Sequence, residues 1–339
     1  MSNQEEEISP ERRRDYHRLA GKIAHEVHEE VKPMIKVGTR VIDIVQKAES
    51  LIYQKDARIG FPTNVSLNNY AAHYTSPWED SAAIPDRSVV KIDIGVHVEG
   101  FIADTARTYI IGNNQVGSKL REAAIAGFDA GIEQIAPDGK LANVGAACEE
   151  AINQFGFLPI RELSGHLLER YELHSKKRMP NIKLPYDKAG SEGLIELDEA
   201  YAFETFASSG TGSVHDIQNR KYIYSLYVKD DGAPIRVPLR SRNTRAVRSY
   251  ILREYKGLPF AERWILEKFG PPQGRFAIAQ LHRAGALHAY HVLADSKGSF
   301  VAQHENTLIV TEEGCEITTL PPWNFEGDEE ELKGSLKKE

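Results

Sequence analysis

Val89-Val90-Lys91-Ile92-Asp93-Ile94-Gly95-Val96-His97-Val98, then Glu99-Gly100, then Phe101-Ile102-Ala103-Asp104-Thr105-Ala106-Arg107-Thr108-Tyr109-Ile110-Ile111, reads as one β-hairpin. The first run is β-branched and roughly alternating, which is a strand pattern. Glu-Gly is a two-residue turn signal of the kind that closes a hairpin. Folding about that turn sets Asp93 opposite Ala106 and Asp104 opposite Gly95. Both carboxylates then project from one face on diagonal positions, roughly 7 Å apart at the backbone and within joint reach of a small ion. Gly95 and Ala106 are expected to leave space for it. The alternative is a pair of solvated acids on an exposed sheet face. Apolar residues flank both, however, and an unpaired carboxylate in an apolar strand is costly. Outward from the hairpin, His166, Glu204 and Glu305 also lie in strand-like or turn-like segments. Four carboxylates and one imidazole suit hard to borderline divalent ions such as Mn, Fe, Co or Zn. Two such ions a few Å apart would hold one water between them, make it nucleophilic and polarise the carbonyl it attacks.

A chain of 339 residues is long enough for one large domain or two smaller ones. Its apolar fraction of 41% and charged fraction of 27% are those of a soluble globular protein. The net charge of −7 argues against a surface that coats nucleic acid as a whole. Cys148 and Cys315 supply neither a disulfide framework nor zinc-ligand spacing, which fits a reducing, cytoplasmic setting. The N-terminus is polar and acidic, and no apolar run approaches membrane-spanning length. The chain is therefore expected to be soluble, unexported and free of membrane contact.

Residues 1–10 read as a disordered N-terminus up to the helix start at Ser9-Pro10-Glu11, with Ser as cap and Pro in the first turn. Tyr16, Leu19, Ala20, Ile23, Ala24, Val27 and Val31 recur at helical spacing until Pro33. Thr39 is read as the cap of a second helix to about residue 53. A weak echo follows: 36–49 resembles 138–150, each a turn and a helix leading to a segment with a notable histidine, His73 or His166. Duplicated α+β halves with a site between them are the inference. Residues 242–289 hold three short helical patterns between strand-like segments and read as an inserted helical subdomain. The last strands are expected over 299–310 and 315–320, with an acidic, Lys-rich mobile tail over 321–339.

Ordered motifs run through nearly all of residues 11–320. They are Gly60-Phe61-Pro62-Thr63-Asn64-Val65-Ser66-Leu67-Asn68-Asn69-Tyr70-Ala71-Ala72-His73-Tyr74-Thr75, Lys91-Ile92-Asp93, Ile102-Ala103-Asp104-Thr105-Ala106, Leu163-Ser164-Gly165-His166, Tyr171-Glu172-Leu173-His174, Ala202-Phe203-Glu204, Leu258-Pro259-Phe260-Ala261-Glu262-Arg263-Trp264 and Ala302-Gln303-His304-Glu305. In these the chain resembles the type 2 methionine aminopeptidases, in their short archaeal-like form, within the pita-bread (creatinase-like) metallopeptidase family. The resemblance implies an α+β pita-bread fold with pseudo-twofold halves, catalytic over 11–225 and 290–320, and a winged-helix-like insert over 226–289. The 101 positions between Glu204 and Glu305 leave room for that insert, which marks type 2 enzymes against type 1.

The resemblance also implies roles. Asp93 would be a two-oxygen ligand of one ion, Asp104 and Glu305 would bridge two ions, and His166 and Glu204 would complete the second. A bridging water would attack the carbonyl after the initiator methionine of nascent proteins with a small second residue. Glu204 would also carry the proton toward the leaving amine, while His73 and His174 would hydrogen-bond substrate and oxyanion. Phe61 and Tyr290 are the expected walls of the methionine pocket. The bland readings are a structural histidine for His73 or His174 and core aromatics for Phe61 and Tyr290. His97, His215, His288 and His304 are read as structural or surface residues.

Asn306 departs from the pattern, which has histidine there; it is expected to support the site from behind, with an effect on rate or metal affinity. A proline-specific peptidase of the same fold is a second enzyme reading, though such relatives carry an extra N-terminal domain. A third is a catalytically weak relative that binds ribosome or RNA. Residues 220–299 hold 15 Lys and Arg against 6 Asp and Glu, with Arg236, Arg240, Arg242, Arg245, Arg248 and Arg253 at the insert's start. Solvated arginines on a scaffold are the plainer account of them. Nothing in the sequence calls for more than a monomer.

Overall fold

The computed structural model describes residues 8–185, 193–228, 235–329 and 332. Helices α1 (Pro10–Val31) and α2 (Val41–Gln54) precede strands β1 (Arg58–Leu67) and β2 (Tyr70–Ala72) and the hairpin β3 (Val89–Val98) and β4 (Phe101–Ile110). Helices α3 (Gln115–Ile132) and α4 (Leu141–Gln154) follow, then β5 (Leu158–Pro159), β6 (Ser164–Leu168), β7 (Arg178–Pro180), β8 (Ala200–Ser208) and β9 (His215–Leu226). Next come α5 (Arg242–Tyr255), β10 (Phe260–Ala261), α6 (Glu262–Phe269) and α7 (Pro271–Arg283), and last β11 (Leu287–Ala294), β12 (Val301–Thr311) and β13 (Gly314–Ile317).

The hairpin has the expected register, with Asp93 opposite Ala106 and Gly95 opposite Asp104. Glu99 and Gly100 both take left-handed φ, 53° and 88°. That turn matches the twist of the strands it joins, and glycine enters it without steric cost.

The main sheet runs β1-β3-β4-β12-β8-β6-β7, with β13 on β12 and β5 on β8. Its centre is an approximate twofold: β4 answers β12, β3 answers β8, and β1 answers β6. Helices α1 and α2 back the first half, and α3 and α4 the second. Helices α2 and α4 are each 14 residues long. Each follows a basic residue in an isolated bridge, Arg40 with Ala83 and Lys140 with Leu194. The echo in the sequence is thus a repeated turn-helix unit. One apolar core lies under α1 and α2 and another between α3, α4 and strands β8 and β12.

The two halves meet where the ladder between β4 and β12 is reduced to one pair, Glu305 with Ala106. Buried threonines replace the missing backbone bonds. Thr105 Oγ1 donates to Glu305 O at 2.9 Å, and Thr108 Oγ1 to Gln303 O at 2.7 Å. Thr307 Oγ1 donates to Asp104 O at 2.9 Å and accepts from Asp104 N at 2.7 Å. Both central acids are therefore held by a seam whose polar groups are paired, as buried backbone must be.

A second sheet, β10-β9-β11-β2, carries the insert. The three expected helices are α5, α6 and α7, packed through Val247, Ile251, Ile265 and Leu281. The segment is not helical throughout, because β10 pairs with β9. Its core also takes in Tyr224, Leu226 and Leu287. The expected bounds at 226 and 289 therefore meet the end of β9 and cut into β11, whose side chains serve the helices on one face and the site on the other.

Three further expectations need correction. Helix α2 begins after Arg40 and has no side-chain cap; Thr39 is held instead by its carbonyl, which accepts from Ile84 N at 2.9 Å. Of the expected disordered N-terminus, residues 1–7 lie outside the described residues. Ile8 packs on the first core, and Ser9 Oγ accepts from Arg12 N at 3.3 Å. The tail beyond residue 320 is anchored over its described part. Glu326 pairs with Arg14 and Arg18, each at 2.9 Å. The Glu326 and Gly327 amides donate to the buried Asp15 carboxylate at 2.9 and 2.7 Å. Glu329 pairs with Lys22 at 2.7 Å, and Leu332 is buried in the first core. The acidic stretch is complementary to one face of α1 some 300 residues upstream. The tail's remaining residues, 330–331 and 333–339, lie outside the described ones.

Candidate metal centre

Strand register alone brings the acids together. Asp93 on β3 lies opposite Ala106, Ala106 opposite Glu305, and Glu305 opposite Glu204, forming one row across four strands. Two residues along the same face, Asp104 is bonded to Thr307, Thr307 lies opposite Ala202, and Ala202 lies opposite His166. Side chains alternate faces along a strand and neighbouring strands stand about 4.8 Å apart. Five donor residues thus converge, with alanines between them that leave room for the longer side chains.

Asp104, His166 and Glu305 each present a ligand atom within 4.8 Å of the others. His166 Nε2 lies 3.6 Å from Asp104 Oδ2. Burial, more than any other cause, raises the pKa of all four acids. Asp93 is pushed up to about 7. Asp104, Glu204 and Glu305 rise well above the carboxylate range, with charge from neighbouring acids adding to burial. Like charges this close disfavour joint ionisation. His166 is held neutral, its pKa lowered by burial to about 3. Among the described residues, Asp93 Oδ1, Asp104 Oδ1 and His166 Nδ1 are buried without a hydrogen-bond partner. Native proteins seldom tolerate such orphans. A crowd of buried carboxylates, a neutral imidazole and unpaired donor atoms fits divalent cations.

All nine residues singled out in the sequence line one cavity: Asp93, Asp104, His166, Glu204, Glu305, His73, His174, Phe61 and Tyr290. Its apolar wall is completed by Ala72, Leu163, Leu173, Ile223 and Pro259, with Asn64 beside them. Contrary to expectation, the space over Gly95 is not open for an ion, because the Phe61 ring occupies it and would clash with any Cβ there. His73 has φ of 65° and its Nδ1 lies 3.0 Å from His291 O. His174 packs against His166 with ring centroids 4.4 Å apart and faces Tyr290 at 6.0 Å. Burial lowers the pKa of both His73 and His174, so both are neutral near pH 7.

Gln303 was missed in the sequence. Its Nε2 donates to Glu204 Oε2 at 3.1 Å and to Glu305 Oε2 at 3.2 Å. It sits two positions before Glu305, and the period-two rule that paired Asp93 with Gly95 also places it on the acidic face. Lys91, two before Asp93, is buried as well and donates from Nζ to Asn68 O and Val301 O, each at 2.9 Å.

Asn306, expected to support the site from behind, makes no hydrogen bond to the acids or to His166 among the described residues. Alternation sends it to the opposite face of β12, where Oδ1 accepts from Thr319 Oγ1 at 2.9 Å and Nδ2 meets His304 Nε2 at 3.3 Å. His304 stacks edge-on against Phe128 at 4.8 Å, and His97 Nδ1 accepts from Gly100 N at 3.2 Å, both structural roles. His215 stands exposed at the start of β9. His288, read as structural or surface, packs edge-on against Tyr290 at 4.5 Å.

The sequence matches metallopeptidase family M24 over residues 15–312. It is 39% identical to a methionine aminopeptidase of Thermococcus onnurineus across 88% of this chain and 97% of that protein. It is 36% identical to one from Saccharolobus solfataricus across 89% and 96%. Among solved structures, a thermophilic Arx1 superposes with a TM-score of 0.79 at 17% identity, covering 98% of each chain. A methionine aminopeptidase from Thermotoga maritima gives 0.64 at 21% identity, covering 93% of this chain and 99% of that one. A prolidase from Pyrococcus furiosus gives 0.58 at 15% identity, with 93% and 66% covered. These likenesses are to a shared pita-bread fold. With its donor set, its duplicated halves and a match over most of its length, the chain belongs to metallopeptidase family M24.

Proposed function

We propose that this chain is a methionine aminopeptidase that removes the first methionine from peptides with a small second residue. The observation that carries this reading is the single cavity joining four carboxylates, two of them buried and two half-buried, with three neutral imidazoles and an apolar wall. The relatives at up to 39% identity bear that activity in their names. Asp93, Asp104, His166, Glu204 and Glu305 would hold two divalent ions. When bound, these would act as Lewis acids toward the scissile carbonyl and make the attacking water nucleophilic at neutral pH.

The chain's own residues do the rest. Gln303 orients the Glu204 carboxylate through Oε2, and Glu204 takes the water's proton and passes it to the leaving amine. In His73 the proton must sit on Nδ1 to donate to His291 O. Its Nε2 therefore offers a lone pair and accepts a substrate N–H. The developing oxyanion then falls to His174, a neutral donor beside His166. Phe61, Leu173, Pro259 and Tyr290 enclose the unbranched thioether and keep water away.

All the proposed site residues line one cavity of a single chain, which supports a monomer, and a substrate made during translation supports a cytoplasmic setting. Among the described residues, no helix is long and apolar enough to cross a membrane. Ribosome contact through the basic insert gains little support. Arg245 Nη1 and Arg248 Nη2 donate to the carbonyls of Leu239, Arg240 and Ile235, and Arg253 lies over Tyr250. Turnover of a Met-Ala peptide, an N-acetylated Met-Ala peptide and an Xaa-Pro dipeptide by the metal-loaded protein tests the reading. Release from the first alone is expected. Fast Xaa-Pro turnover without methionine release would put the proline-specific reading in its place.

A further inference from the structure

Tyr290 is not the end of the aromatic wall. Strands β9 and β11 pair with Tyr290 opposite Ile223 and His288 opposite Ser225. Alternation puts Ile223, Ser225 and Tyr227 on one face with Tyr290 and His288. Ser225 Oγ lies 3.4 Å from Tyr290 OH, which confirms the shared face. The His288 ring packs on Tyr290 at 4.5 Å and on Tyr227 at 5.9 Å. Tyr290 lines the cavity, whereas His288 is exposed and Tyr227 is 46% exposed. The His288–Tyr227 edge thus carries the aromatic wall from the cavity-lining Tyr290 out to solvent.

An exopeptidase closes around the first residue and lets the rest of the chain leave. If methionine lies against Tyr290 and the rest of the peptide runs back along β11, the substrate passes this edge. Residues two apart on a strand are about 6.6–6.8 Å apart, and an extended peptide advances by the same distance in two residues. His288 thus stands level with the third residue of the substrate. Tyr227 OH lies 3.3 Å from His288 Nδ1. A phenol donating there fixes the proton on Nε2, which has no partner among the described residues. The charge of Arg178 also bears on Tyr290 and His174, from β7.

We propose that His288, oriented by Tyr227, forms a subsite for the third substrate residue that favours a hydrogen-bond acceptor there, a carboxylate above all. This rests on the methionine aminopeptidase reading. It adds a selectivity determinant beyond the pocket for the first residue and the steric limit on the second.

The test compares kcat/KM on three amides, Met-Ala, Met-Ala-Asp and Met-Ala-Lys, with Mn-loaded full-length protein. The wild type is expected to prefer Asp over Lys by about tenfold, the size of one charge-assisted hydrogen bond at a rim. His288→Ala should bring that ratio to within about twofold, the remainder coming from Arg178, and should lose more on Met-Ala-Asp than on Met-Ala. His288→Gln, which keeps a donor, should retain part of the preference. Tyr227→Phe, which keeps the ring and loses the hydroxyl, should weaken it. An unchanged Asp-to-Lys ratio in His288→Ala, or an equal loss on all three amides, overturns the subsite while leaving the aminopeptidase intact. No methionine release from any amide by the wild type overturns both.

Discussion

At the scale of single residues, the site depends on which face of a strand a side chain takes. The five metal-ligand candidates stood out because acids and a histidine in apolar strand-like runs are conspicuous. Their roles came through resemblance, and register shows how they meet. Gln303 was as accessible by period two but carries no charge, so nothing drew attention to it. Asn306, next to Glu305 in sequence, points away from the acids because successive residues of a strand take opposite faces. Gln303 is the only hydrogen-bond donor recorded on both Glu204 and Glu305 among the described residues. Gln303→Leu keeps the volume and removes that orientation. Its apo form should stay folded and bind Mn about 10–100-fold more weakly, as supporting hydrogen bonds to metal ligands generally do. Titration calorimetry checks this, and wild-type affinity in the variant would remove Gln303 from the site.

At the scale of elements, the hairpin, the first helix and the insert's three helices were legible because each has a strong period and a turn or cap in its own sequence. The threonine seam between β4 and β12 was not, because its bonds join residues about 200 positions apart. The loop between β8 and β9 is a similar case. Asp295, at the end of β11, accepts from Thr211 N and Gly212 N, each at 3.1 Å, and from the Ser208 hydroxyl. These bonds hold its carboxyl down to about 2, below its ordinary value, against the opposing effect of burial. A depressed folded-state pKa stabilises the fold above the unfolded value, near 4, and that stability is lost as pH falls through about 2. Asp295→Asn should therefore cost about 2 kcal/mol at pH 7, and the gap to wild type should close between about pH 4 and 2. Urea unfolding at a series of pH values measures it; a gap that does not vary with pH would show that the charge is not what holds the loop.

At the scale of the whole molecule, two similar halves each set acids on facing strands and share a site at their seam. The weak echo between 36–49 and 138–150 was enough to suggest this, since the helices kept their turns and lengths. The anchored tail was illegible because its partners, Arg14, Arg18 and Lys22, lie at the other end of the chain. The central claim is that the acids at the seam serve metal-dependent release of methionine. The most direct measurement is methionine release from Met-Ala-Ser by the chelated protein, reloaded in turn with Mn, Co, Fe or Zn, beside Asp104→Asn. Release is predicted to be absent after chelation, restored by at least one metal, and lost in the variant with its fold intact. Release that survives chelation, or a fully active Asp104→Asn, would contradict the account.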